Sequence, residues 1–96
     1  MLRTRKVRIG KKFIQATLIS LANKNLIVLA GSKGYVMCGY LDLSVAEKFQ
    51  DAAIRIVGVS TISQALGTCV FSCTSLAKKL GVYPGQPVKE ALKIIA

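Results

Sequence analysis

The hydrophobic period of this chain changes from two to nearly four after Asp42, and that change restricts it to a fold that mixes strands with helices. Before Asp42 the apolar positions recur at the spacing of strands. The segments "TRKVRI" and "KFIQATLISL" flank Gly10 and Lys11, a turn in which Gly10 can supply the positive φ that a tight reversal needs. "NLIVLA" and "YVMCGYL" flank "GSKG", where glycines again permit a reversal. After Asp42 the period is nearly four. Ser44 and Glu47 have capping-box spacing, and Val45, Phe49, Ala52 and Ala53 line up as one apolar helical face. "IRIVGVS" reads as a short β-branched strand. Thr61 and Gln64 repeat the capping-box spacing, which predicts a helix starting just after Thr61. Val70, Cys73, Ala77 and Leu80 fall at helical spacing before Gly81, a helix stop. A last helix follows the Pro84-Gly85 turn, with Gln86 as cap, Pro87 at the first helical position and Val88, Ala91, Leu92 and Ile95 as its buried stripe.

The expected fold class is therefore α+β: two N-terminal β-hairpins, then helix, strand and C-terminal helices packed on one face of a mainly antiparallel sheet. Residues 1–96 read as a single domain, with 1–24 as a basic N-terminal hairpin and 25–96 as the core.

Charge narrows the partners. Fourteen Lys and Arg face four carboxylates, Asp42, Glu47, Asp51 and Glu90, for a net charge of +10. Such an excess attracts anions, from small phosphorylated or carboxylated ligands to polyanions. Arg3, Arg5, Lys6, Arg8, Lys11 and Lys12 crowd into the first twelve residues, where they could bind nucleic-acid phosphates or simply protect an edge strand from pairing with another chain. Hydrophobic residues make up 52% of the chain against 19% charged, which points to apolar surface covered by a second copy in a homo-oligomer.

The missing residue types exclude chemistry. There is no histidine, so Ser-His-Asp triads and His-bearing zinc sites are out, and four scattered carboxylates do not make a cage for a hard cation. The sequence calls for no metal and no cofactor. Three cysteines, Cys38, Cys69 and Cys73, are an odd number and read as reduced thiols of a cytoplasmic protein. Cys69 and Cys73 are four apart, close enough on a helix to share a metal, but too few further ligands exist and core packing is the preferred reading. The basic start followed by "FIQATLISLA" imitates a signal peptide, yet Gln15, Thr17 and Ser20 interrupt it. No apolar run nears the roughly 18 residues of a membrane span, so no membrane role is expected.

The densest stretch is "GSKGYVMCGYLD". On a strand, Val36, Cys38 and Tyr40 face one way and Tyr35, Met37, Gly39 and Leu41 the other, which suits a strand covered on both sides. Gly39 would leave a notch beside Cys38, with Lys33 and Asp42 at the two strand ends. Cys38 could act as a nucleophile if Lys33 or another basic group favoured its thiolate, although no general base stands at a telling spacing.

The runs "KGYVMCGYLD", "VGVSTI" and "LAKKLGVYPGQPVKEAL" together resemble the small YunC-like proteins of bacteria and archaea, the domain of unknown function 1805 family, over roughly Leu26 to Ile95. The matching positions include Lys33, Gly34, Tyr35, Met37, Cys38, Gly39 and Leu41. The resemblance implies a compact cytosolic α+β domain with no assigned reaction or cofactor. The chain departs from that pattern at Asp42, where asparagine is frequent, and at Ser63 and Gln64, where acids are frequent. The loss of those acids argues against cation binding at the helix start.

The reading these features favour is an oligomeric binding module for a small anionic ligand near Lys33, Gly34, Tyr35, Cys38, Gly39, Asp42 and Thr61, the last because a helix start can meet an anion. Nucleic-acid binding through the N-terminal hairpin is an alternative, weakened by the scarcity of aromatics for stacking. A thiol enzyme with Cys38 as its catalytic residue is another, and a non-enzymatic role is preferred to it.

Overall fold

A computed structural model describes residues 2–40 and 42–96, so Leu41, expected on the Tyr35 face, lies outside the described residues. The elements run β1 (Leu2–Ile9), β2 (Lys12–Ser20), β3 (Asn25–Ala30), β4 (Tyr35–Met37), α1 (Leu43–Lys48), β5 (Ala53–Arg55), α2 (Ile62–Gly67), β6 (Ser72–Cys73), α3 (Ser75–Lys79) and α4 (Val88–Ile95). The strands form one six-stranded sheet in chain order, antiparallel throughout except for the parallel pair β4–β5. The fold is α+β. Among the described residues no helix is long and apolar enough to cross a membrane.

Both expected hairpins form. Ile9 pairs with Lys12 across Gly10 and Lys11, and Gly10 has φ +63°, as a two-residue turn of this hand requires. Leu21 N–H donates to Lys24 O at 2.8 Å and turns β2 into β3, so the first four strands are a continuous meander. At "GSKG" the glycines answer a packing need. A side chain on Gly31 would strike the Ile95 main chain, and one on Gly34 the Ala52 main chain.

The pleat divides the sheet into two faces. Ile14, Ala16, Ile27, Leu29, Val36 and Ile54 point to the main core, where α4 buries Val88, Ala91, Leu92 and Ile95 completely. Each large side chain of that stripe contributes roughly 1.5–3 kcal/mol. Tyr35, Met37 and Ala53 point the other way, to a smaller cluster under α1. The helices thus lie on both faces, and the expectation of a single covered face is corrected. The cause is the parallel β4–β5 pair, whose crossover must pass over one side of the sheet.

Two local readings also change. The N-cap of α1 is Asp42, whose Oδ1 accepts from the Ser44 and Val45 N–H groups at 3.0 and 3.4 Å, so Ser44 lies inside the helix. In consequence Ala46 is the buried residue, whereas Val45 and Phe49 are 46% and 74% exposed. The spacing Val70, Cys73, Ala77, Leu80 is not one helix. Cys73 belongs to β6, Thr74 caps the separate helix α3, and Cys69 forms a bridge with Pro87, so the two cysteines do not share a helix face. Pro87 itself occupies the N-cap position of α4, and the Gln86 side chain instead accepts from Tyr83 N–H at 3.3 Å.

Candidate functional site

The parallel pair positions a groove. At the C-terminal ends of β4 and β5 the chain leaves the sheet twice, through Cys38, Gly39 and Tyr40 and through Val57 to Ser60, and the two exits bound a groove of about 570 Å³. Such strand ends are where open sheets with parallel strands leave room for ligands. Gly58, at φ +74°, lets the second exit turn where an L side chain would be strained. Lys24 and Asn25, where β3 begins, close one side, and Arg55 reaches in from the end of β5. Asn25 Nδ2 donates to Ser60 O at 2.9 Å and ties the meander to the second exit.

Cys38 is on the wall of this groove but only 4% exposed. Its sulfur accepts from Ile27 N–H at 3.4 Å, and its thiol points to Asn25 O at 3.9 Å. Gly39 is exposed, and a Cβ placed there would meet nothing within 4 Å, which makes it the open notch beside the thiol. Replacing Gly39 by alanine is therefore expected to leave the fold intact and raise its stability by about 0.4–1 kcal/mol, through the unfolded chain's lost freedom. A lower urea midpoint for Gly39→Ala would show that this backbone is constrained after all.

Arg55 carries the strongest polar signal. Its Nε is buried and has no hydrogen-bond partner among the described residues, and its guanidinium lies 5.6 Å from the centre of the Phe71 ring. No carboxylate lines the groove among the described residues. All four acids are engaged elsewhere: Asp42 caps α1, Glu47 accepts from Ser75 N–H at the start of α3 (3.1 Å), Asp51 accepts from the Tyr35 hydroxyl (3.0 Å), and Glu90 pairs with Lys93 (3.9 Å). Hydrogen bonds from the Ser44 hydroxyl and backbone hold the Asp42 carboxyl below its ordinary range, while burial, then Asp51, pushes the Tyr35 phenol up. Burial likewise raises the Cys73 thiol.

Of the residues expected at one site, Asp42 caps α1 and lines neither groove, and the others are spread over three places. Cys38 and Gly39 line the groove. Lys33, Gly34 and Tyr35 lie at the other end of β4, about 10 Å of strand away, where Lys33 N–H donates to Ile95 O and Tyr35 faces α1. Lys33 is thus not placed to favour a Cys38 thiolate. Thr61 accepts from Gln64 N–H at 3.0 Å as the cap of α2 and borders a second groove with Arg3 and Arg5. The basic cluster is divided too. By register Arg3, Arg5 and Lys12 share the face of Leu18, Ala16 and Ile9, Lys6 and Arg8 share the opposite face with Gln15 and Phe13, and Lys11 is in the turn. Lys24, Asn25, Tyr40, Arg55 and the Val57–Ser60 exit are residues that the sequence reading misses. One signal for them exists, a lone arginine between Ile54 and Ile56 in an otherwise apolar strand.

Comparison with known proteins agrees with the resemblance drawn from "KGYVMCGYLD". The chain is 38% identical over 87 residues to the uncharacterized protein YunC of Bacillus subtilis (strain 168), covering 86% of this chain and 85% of that protein. Its structure matches the crystal structure of a protein of unknown function from Thermoplasma acidophilum with a TM-score of 0.96 at 33% identity, over 100% of this chain and 94% of that one. The family model for the domain of unknown function 1805 matches residues 37–95, which include both exits that bound the groove. This chain belongs to the domain of unknown function 1805 family.

Proposed function

We propose that this protein is a binding module for a small anionic ligand, held in the groove between the Cys38–Tyr40 and Val57–Ser60 exits. The observation that carries the reading is Arg55, whose buried Nε has no partner among the described residues and which, with Lys24, lines a groove that receives no carboxylate among the described residues. A guanidinium offers five donors, and leaving a buried one unmet costs about 1–3 kcal/mol. An anion in the groove would give the guanidinium an acceptor and offset that cost. Gly39 supports the same reading, since its missing side chain allows a ligand to approach the backbone beside Cys38.

Thermal unfolding at low ionic strength tests it, with inorganic phosphate, glycerol 3-phosphate and simple carboxylates as probes. A probe present at about ten times its Kd should raise Tm by on the order of 5–10 °C. Arg55→Gln should lose that rise, and Lys11→Gln, which removes a charge from the β1–β2 turn, should keep it. If Arg55→Gln is stabilised as much as the parent protein, the groove is not where the anion sits.

A further inference from the structure

The second groove, of about 620 Å³, shares Asn25 and Ser60 with the first. Beyond that common wall its lining changes character. Arg3 and Arg5 stand over it together with Ser20, Thr61 and Ser63, on a floor that includes Leu18 and Ile62. The two arginines occupy positions of β1 whose register partners, Leu18 and Ala16, belong to the core side of the sheet, so they point toward the helices and not toward the open face. No ion pair holds either of them among the described residues. Thr61 uses one oxygen lone pair to cap α2 and keeps its own hydroxyl hydrogen for another acceptor. Between the grooves, the Asn25 amide spends one N–H on Ser60 O and retains a second N–H and its carbonyl oxygen.

We infer that the two grooves form one elongated site for a metabolite with anionic groups at both ends, one against Arg55 and Lys24 and the other against Arg3 and Arg5, with a hydrogen-bonding body across Asn25 and Ser60. The inference rests on the anion-binding reading of the first groove and adds the second anchor and the class of ligand. Each end has two cations and, among the described residues, no acid, and the shared wall is polar, which suits a hydroxylated body better than an apolar one. The arginines that the sequence offers as a nucleic-acid surface thus serve a small molecule.

Calorimetric titration with fructose 6-phosphate and fructose 1,6-bisphosphate separates the possibilities. The bisphosphate should bind about tenfold or more tightly than the monophosphate, the gain expected from one further set of charge-assisted hydrogen bonds. In the double variant R3Q/R5Q the preference should shrink to about twofold or less while monophosphate affinity stays within about twofold. The double variant K6Q/R8Q removes the same charge from the other face of β1 and should retain the preference. Equal affinities for the two probes in the parent protein, with Arg55-dependent binding intact, would overturn the second anchor and leave the first groove's role standing. An equal loss of preference in K6Q/R8Q would reduce the effect to net charge and overturn it as well. Absence of binding by either probe, together with no Arg55-dependent response to any anion, would remove both readings. A single-stranded oligonucleotide that binds far more tightly than the bisphosphate and depends on Arg3 and Arg5 would overturn the small-molecule assignment.

Discussion

Thr74→Val is expected to destabilise the protein by about 3 kcal/mol and to lower Tm by on the order of 15 °C. The Thr74 side chain is buried and completes the sheet where the backbone cannot. Thr74 N–H donates to Ala53 O at 3.0 Å, and Thr74 Oγ1 accepts from Ala53 N–H at 3.1 Å in return. The same hydroxyl donates to Asp51 O at 2.6 Å and accepts from Ala77 N–H at 3.4 Å as the cap of α3. Valine keeps the shape and removes every bond made by the hydroxyl. Ala53 N–H, with its residue fully buried, is then left without a partner at a cost of about 1–3 kcal/mol, and loss of the cap adds about 1 kcal/mol. Thr74→Ser keeps the oxygen and should cost less than about 1 kcal/mol, the lost methyl group being its main change. Urea unfolding of the two variants checks the argument, and similar losses for both would shift the weight from the hydroxyl to that methyl group.

Gly34→Ala should destabilise by about 2–3 kcal/mol, in the range of a forced overpacking. An added Cβ would land on the carbonyl oxygen of Ala52 and lie 2.9 Å from the Ala52 Cβ. That carbonyl cannot simply move aside, because it accepts from Tyr35 N–H at 3.1 Å where β4 and β5 begin their parallel pairing. The expected readout is a lower urea midpoint with an unchanged slope. A neutral Gly34→Ala would mean that the β4–β5 pair slides more easily than its hydrogen bonds suggest. Gly39→Ala, further along the same segment, carries the opposite expectation, so the two glycines separate a packing constraint from an open groove.

The parts of the fold that are legible in the sequence are those set by local chemistry. The Gly10-Lys11 turn, the alternation of β2 and the stripe Val88, Ala91, Leu92, Ile95 each follow from a period and a breaker within a few residues. The helix start at Thr61 is legible through its capping-box spacing, but the stretch from Val70 to Leu80 is not legible in the same way. Its apolar spacing suits a helix, but Val70 is held by main-chain bonds to residues far along the chain, with its N–H donating to Gln86 O and its carbonyl accepting from Gly85 N–H. Tertiary pairing of that kind overrides a weak helical period. The candidate site is half legible. Cys38 and Gly39 stand out through the notch, whereas Lys24, Tyr40 and the Val57–Ser60 exit come together only because β4 and β5 run parallel, a pairing that no local pattern in a mostly antiparallel sheet announces.

The commitment of all four carboxylates to caps, a phenol and one lysine has a consequence for how copies of this protein meet. Asp42, Glu47 and Glu90 keep their charges on exposed residues while they serve these bonds, but fourteen cations outnumber the four acids, so the net charge of +10 makes two copies repel at long range. At physiological salt the repulsion is confined to about 8 Å, so ions in solution can quiet it at a distance and not at contact. Any self-association of this chain is in that sense a property of the protein together with its counterions, and its measured mass should be read at a stated ionic composition.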